Sequence, residues 1–309
     1  MTPLRIIFAG SGAFGIPTLR AQRDAGHKIV SVITQPDRPA GRGRTLTPTP
    51  IAIEAETIGL PPQRVIDINA MDLPPADLLV VIAFGQKIAD RIVNHARLGS
   101  INLHASRLPR HRGAAPINAA ILCGDSVTGN SVIRLAQKMD AGAILAQSIV
   151  SIGELETAGE LHDRLSQDGA PLVLGVIEQL ANHTAIEIEQ DHVAATLARK
   201  LSRESARIDW TQSAQSIARQ IRGLSPWPGC RVELLDGERV LDTITLLRAR
   251  AFGGTGGPVG IIAADGTIAA GDGNAVEVID VQPAGKRPMS LDAYARGKRW
   301  ETGLRPQSP

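Results

Sequence analysis

Ile101-Asn102-Leu103-His104-Ala105-Ser106-Arg107-Leu108-Pro109-Arg110-His111-Arg112-Gly113-Ala114-Ala115-Pro116-Ile117 decides how the chain is read. It follows an apolar run, Leu78 to Phe84, of the kind that forms a buried strand. It precedes Asn118 to Cys123, which reads as the start of a helix. Asn102 and His104 lie two residues apart, so in an extended segment they share one face. An amide donor and an imidazole then converge at the end of a strand, which suits them to holding a carbonyl oxygen as it becomes an oxyanion. Ser106 to Pro109 makes a tight polar turn, and Arg112-Gly113 bends the chain again. Taken singly, an Asn at a strand end is a turn former, and a lone His is more often structural than catalytic. The whole string has to separate the two readings.

Upstream, Leu4 to Ala9 is an apolar strand, followed by Gly10-Ser11-Gly12-Ala13-Phe14-Gly15, a helix with Ile16, Leu19 and Ala21, and a second strand, Lys28 to Thr34. Such a strand–turn–helix–strand unit crosses over right-handed. The glycine string matches the dinucleotide fingerprint and raises an NAD-dependent dehydrogenase as a distant alternative. The acidic residue that should end the second strand is missing, because Gln35-Pro36-Asp37 begins a turn there. The glycines are therefore read as turn and packing positions. From Gln35 to Arg44 there is no apolar periodicity, and Arg38, Arg42 and Arg44 form a cationic projection on an exposed loop.

Downstream, Asn130 to Leu135 and Ile144 to Ile149 read as strands, with Asp140 and Gly142 in the turn between them. Thr157-Ala158-Gly159-Glu160 is a capping box opening a helix through Leu180, expected to kink or break at Gly169-Ala170-Pro171. The polar stretch 189–206 reads as a linker between a first domain, 1–188, and a second, 207–309. In the second, Ala214 to Leu224 is an amphipathic helix stopped by Ser225-Pro226-Trp227-Pro228-Gly229. Short strand patterns follow, with turns at Asp236-Gly237, Asp265-Gly266 and Asp272-Gly273, which suggests a small barrel.

The bulk numbers set bounds. The chain has 309 residues, enough for two cores, and its 3% aromatic content leaves those cores to Val, Ile, Leu and Ala. A net charge of +2 excludes a polycation, so any nucleic-acid contact must come from a local patch. Cys123 and Cys230 lie far apart and show no metal-ligand spacing, which suits a reducing compartment. No metal and no membrane are expected; Leu78 to Phe84 is too short to span a bilayer, and the chain start lacks signal-peptide regions. The default location is the cytoplasm.

Asn102-Leu103-His104-Ala105-Ser106, Leu108-Pro109 and Arg112-Gly113-Ala114-Ala115-Pro116 together resemble the signature of the folate-dependent formyltransferases. The arginine loop is similar to that of the branch acting on methionyl-tRNA. Lys200-Leu201-Ser202-Arg203-Glu204, Ser225 to Gly229 and Gln282 to Met289 resemble the same family's C-terminal domain, so the likeness covers nearly the whole chain. The resemblance implies an α/β protein: a Rossmann-like formyltransferase domain followed by a small OB-like β-barrel. It implies formyl transfer from 10-formyltetrahydrofolate, a co-substrate, to the α-amine of methionyl-initiator tRNA. Asn102, His104 and Asp140 match the family's catalytic residues. Phe84, Gly85, Ser106, Arg107, Leu108 and Pro109 match the folate site. Arg38, Arg42, Arg44, Lys286 and Arg287 are the expected tRNA contacts. Lys298 and Arg299 could extend that patch. Arg107 stands where the family commonly has Leu, and His111 where an aromatic residue is common. A monomer is expected. The closer alternative is a formyltransferase acting on a small amine, such as a nucleotide sugar or a glycinamide. A bare RNA-binding module would leave the catalytic signature unexplained.

Overall fold

Strands form where apolar runs meet, and in the first unit those runs assemble one sheet. The computed structural model describes every residue but Met1, Gly41, Arg42, Arg44, Thr255 and Gly256. The chain divides into two compact units that interleave in sequence. The first comprises 1–113, 128–150 and 162–197; the second comprises 114–127, 151–161 and 198–309.

The first unit is built on a seven-stranded sheet. Its strands are β1 (Arg5–Gly10), β2 (Lys28–Thr34), β3 (Pro62–Arg64), β4 (Leu78–Ile82), β5 (Ser100–His104), β6 (Ser131–Arg134) and β7 (Ile144–Gln147). Across the sheet the order is β7-β6-β5-β4-β1-β2-β3. The five strands from β5 to β3 run parallel, while β6 is antiparallel to both of its neighbours. All five residues of β4 are buried, as expected of a central strand covered on both faces. Strand order reverses between β1 and β4, the place where open parallel sheets of this kind leave a crevice beyond their carboxyl ends.

The glycine string at the end of β1 serves packing. A Cβ on Gly10 would lie 2.8 Å from the Phe8 ring and 2.9 Å from the Ile82 carbonyl oxygen. The Ser11 and Gly12 amides both donate to the Ala83 carbonyl at 3.3 Å. Amides that would cradle a pyrophosphate are thus committed to the neighbouring strand.

Three expectations change in detail. The helix Ala158–Ala181 runs unbroken through Pro171. An interior proline costs about 3 kcal/mol. Fully buried Leu165, Val173 and Ile177 offset it, since each buried aliphatic side chain contributes about 1.5–3 kcal/mol. The arginine loop is not irregular throughout, because Arg38–Ala40 pairs antiparallel with Thr45–Thr47. Arg42 and Arg44, expected on that loop, lie outside the described residues.

The third difference is in the second unit. One of its strands, β9 (Arg239–Phe252), is 14 residues long. Short strands are expected there; irregularities between Leu246 and Ala249 bend this long one instead. With β8 (Cys230–Asp236), β10 (Ile268–Ala269), β11 (Ala275–Pro283), β12 (Met289–Ser290) and β13 (Arg305–Gln307) it forms an antiparallel sheet. The order is β10-β11-β9-β8-β13, with β12 beside β11. The sheet curls until its ends approach: Ile262 bridges to Ile268 in β10, and exchanges backbone bonds of 2.9 Å with Gly303 and Leu304 beside β13. The helix Ala214–Gly223 covers the core made by Ile217, Ile221, Val232, Leu246 and Val278. Pro116–Cys123, early in sequence, also belongs to this unit, and Asn118 donates to the Gly223 carbonyl at 2.7 Å.

Candidate active site

β5 alternates as a strand must. Ile101 and Leu103 are buried on one face, and the helix Ala158–Ala181 approaches there so closely that a Cβ on Gly169 would meet Leu103 Cδ2 at 2.5 Å. Asn102 and His104 share the other face. Asn102 is half-buried, opposite Val81 on one side and Ile133 on the other. Its amide has no hydrogen-bond partner among the described residues, so it is available to a substrate.

His104 is buried, and its Nε2 lies 2.9 Å from the His111 carbonyl oxygen. A carbonyl only accepts, so Nε2 carries a proton and donates it. The nitrogen left for chemistry is Nδ1, which faces Asp140 Oδ2 at 3.6 Å. That separation is beyond direct hydrogen bonding.

Asp140 is held by its surroundings. Its Oδ2 accepts the Gly113 amide at 2.8 Å. Its backbone has φ +51°, a region a non-glycine residue rarely adopts, at a cost of about 1–3 kcal/mol. Two residues on, a Cβ at Gly142 would lie 2.0 Å from the Arg134 carbonyl oxygen, which explains the Asp-x-Gly pattern. Gln190 clamps this turn. Its Nε2 donates to the carbonyls of Asp140 at 2.8 Å and Gly142 at 2.7 Å, each bond contributing about 1 kcal/mol net. Gln190 Oε1 accepts Arg112 Nε at 3.0 Å and Nη2 at 2.6 Å, and Arg112 also donates to His192 Nδ1 at 2.9 Å. Gln190 and Arg112 are both buried. From sequence Arg112 reads only as a bend within the signature string, and Gln190 is not singled out: it falls in the stretch read as a linker. Nothing in the composition of that stretch marks it; only its pairing partners do.

The expected folate residues fall into two groups. In the first, Ser106 is fully buried and its Oγ donates to the Arg110 carbonyl at 2.6 Å. Ser131 Oγ donates to the Ser106 carbonyl at 2.6 Å and accepts the Leu108 amide at 3.0 Å. Ser106 and Leu108 thus shape the turn from inside, while Arg107 is exposed and Pro109 half-buried. An exposed position explains how Arg107 is accommodated. In the second group, the Phe84 side chain is buried in the core with Ile7, Ile33 and Ile68, and its carbonyl accepts Gln35 Nε2 at 2.7 Å. Gly85, at φ +78°, lines a cavity of about 300 Å³ together with Gln35, Pro36, Arg38, Ile66 and Gln86.

Of the expected nucleic-acid contacts, Arg38 is exposed and hydrogen-bonded to Gln35. Lys286 and Arg287 are exposed on the turn after β11. Lys298 and Arg299 are engaged by carboxylates, Lys298 with Asp242 and Arg299 with Asp236 and Glu301.

A strand-end amide and imidazole, a turn aspartate and a curled antiparallel second unit define a class. The formyl transferase family profile matches residues 4–177, and the profile of the formyl transferase C-terminal domain matches residues 200–299. The chain belongs to the formyl transferase family. It is 40% identical over 309 residues to the methionyl-tRNA formyltransferase of Methylobacterium nodulans, covering 98% of this chain and 99% of that one. It is 38% identical over 317 residues to the methionyl-tRNA formyltransferase of Bacillus cereus, with 98% of each chain covered. Among solved structures, the fold is similar to an N-formyltransferase from Helicobacter canadensis in complex with folinic acid and dTDP-3-aminofucose. The TM-score is 0.67 at 16% identity, over 91% of this chain and 99% of that one. HypX from Aquifex aeolicus in complex with tetrahydrofolic acid gives 0.63 at 17% identity, over 96% of this chain and 47% of that one.

Proposed function

We propose that this chain transfers the formyl group of 10-formyltetrahydrofolate to the free α-amine of methionyl-initiator tRNA, for translation initiation. The observation that carries the reading is the His104 geometry: a ring whose Nε2 is committed to a carbonyl and whose Nδ1 faces a carboxylate, two strand positions from an unpartnered amide. End-to-end similarity to methionyl-tRNA formyltransferases supports this amine over a sugar or glycinamide amine. The sugar formyltransferases share the fold at low identity and support only the fold.

The amine nitrogen attacks the formyl carbon. A new C–N bond forms and the carbonyl becomes an oxyanion. Asn102 donates to that oxyanion. An α-amine has a pKa near ~8, so a useful fraction is already neutral at pH 7. As the bond forms, the amine sheds a proton, and Nδ1 of His104, with Asp140 beside it, accepts it. The oxyanion collapses, the bond to the folate N10 breaks, and the proton passes to N10. No side-chain nucleophile is required.

The turn 106–109 forms the folate wall, with Phe84 and Gly85 also on the folate side. Arg38, Arg42 and Arg44 meet the acceptor end of the tRNA, and Lys286 and Arg287 face its phosphates. Residues 1–188 carry the chemistry and 207–309 add tRNA affinity. The protein acts as a monomer in the cytoplasm; among the described residues, no helix is long and apolar enough to cross a membrane. Formyl transfer measured with charged initiator tRNA against a panel of small amines tests the substrate. Transfer to the tRNA is expected, and activity on the small amines alone would overturn it.

A further inference from the structure

Residues 188–197 pass close to the candidate active site and touch it at three points. Ile188 bridges to Ile144, at the start of β7. Gln190 holds the Asp140 turn. Thr196 takes the loop on the other side: its Oγ1 accepts the His111 amide and its carbonyl accepts the Arg112 amide, both at 2.9 Å. His111 is the residue whose carbonyl receives His104 Nε2. One segment therefore supports Asp140 through Gln190 and His104 through Thr196 and His111.

We propose that Gln190 is a positioning residue for formyl transfer, setting the separation between His104 Nδ1 and Asp140. This rests on the catalytic reading of that pair. The chemistry of the position is specific. Both amide protons go to carbonyl oxygens, and both Oε1 lone pairs receive the Arg112 guanidinium. Carbonyls only accept and guanidinium only donates, so the amide has one orientation and no spare capacity. Glutamate keeps the two acceptor contacts to Arg112 and cannot donate to Asp140 and Gly142. Leucine keeps neither set. With the donors gone, the left-handed turn at Asp140 keeps the Gly113 amide on its carboxylate and its own bond from the Ala141 amide to the Lys138 carbonyl.

Turnover and KM are measured for Gln190→Glu, for Asp140→Asn and for the double variant, with charged initiator tRNA and 10-formyltetrahydrofolate. Gln190→Glu is expected to lower kcat about 10- to 100-fold, the effect of a displacement of about 1 Å, and to leave both KM values within a few-fold. In the Asp140→Asn background the same substitution should have little further effect, because both act on one geometry. Additive losses would overturn the proposal, since they describe a residue that merely supports the fold. So would a normal kcat in Gln190→Glu while Asp140→Asn is impaired. A normal kcat in Asp140→Asn would instead overturn the catalytic reading, and the proposal with it. Should Gln190→Glu not fold, Gln190→Met, which also removes both donors and adds no charge, is paired with Asp140→Asn in its place. Coupling to Asp140→Asn supports the proposal, and additivity overturns it.

Discussion

The two units fasten their key turns with different polar chemistry. In the first, the Asp140 turn is held by a neutral amide, Gln190, with a guanidinium behind it. In the second, the start of the helix Ala158–Ala181 is held by charge. Thr157 and Glu160 form the capping box, and Arg248 donates to Glu160 and to Asp280 and also to the Leu155 carbonyl. The Arg248 guanidinium, and after it the capping-box bonds from Thr157, hold the Glu160 carboxyl down at about 2. An amide clamp does not titrate, whereas a carboxylate clamp does.

The largest effect expected is at the site. Asn102→Ala, His104→Ala and Asp140→Ala should each lower turnover about 100- to 1000-fold, non-additively, with the fold retained by circular dichroism. Near-normal turnover in His104→Ala would remove the ring from the mechanism.

The charged clamp gives a pH effect of intermediate size. A carboxyl held below its ordinary value stabilises the fold above the unfolded value of 4.5, and that contribution fades as pH falls toward about 2. The thermal midpoint should therefore fall between pH 4.5 and 2, and Glu160→Gln should flatten that part of the curve. An unchanged pH dependence in Glu160→Gln would show that other carboxylates govern acid stability.

The smallest effect belongs to the exposed cations. Lys286→Ala and Arg287→Ala should each weaken tRNA binding and reduce its salt dependence by about one released counterion, leaving turnover at saturating tRNA intact. Salt slopes equal to that of the unaltered protein would place the tRNA elsewhere.

What sequence could reveal follows from the range of the interactions. Buried strands showed as apolar runs, Asp-Gly turns as dipeptides, and the Thr157–Glu160 box as a four-residue motif, because each is specified by neighbours in the chain. Asn102 and His104 showed because strand geometry acts over two residues. Gln190 stayed hidden because its partners are 48 to 78 residues away and its own surroundings are polar. The unbroken helix at Pro171 was hidden for a related reason: local propensity favoured a break, and burial of side chains along the helix prevailed. The paired arms around the arginine loop carry too few apolar residues to register as strands.

Residues 188–197 set an order of events during synthesis. A nascent chain that has emerged as far as residue 188 already contains Asn102, His104 and Asp140, yet has neither Gln190 nor Thr196 to align them. The second unit likewise joins an early segment, 114–127, to residues from 198 onward. If Gln190 positions the pair as proposed, full turnover waits on a segment that takes no part in the chemistry itself.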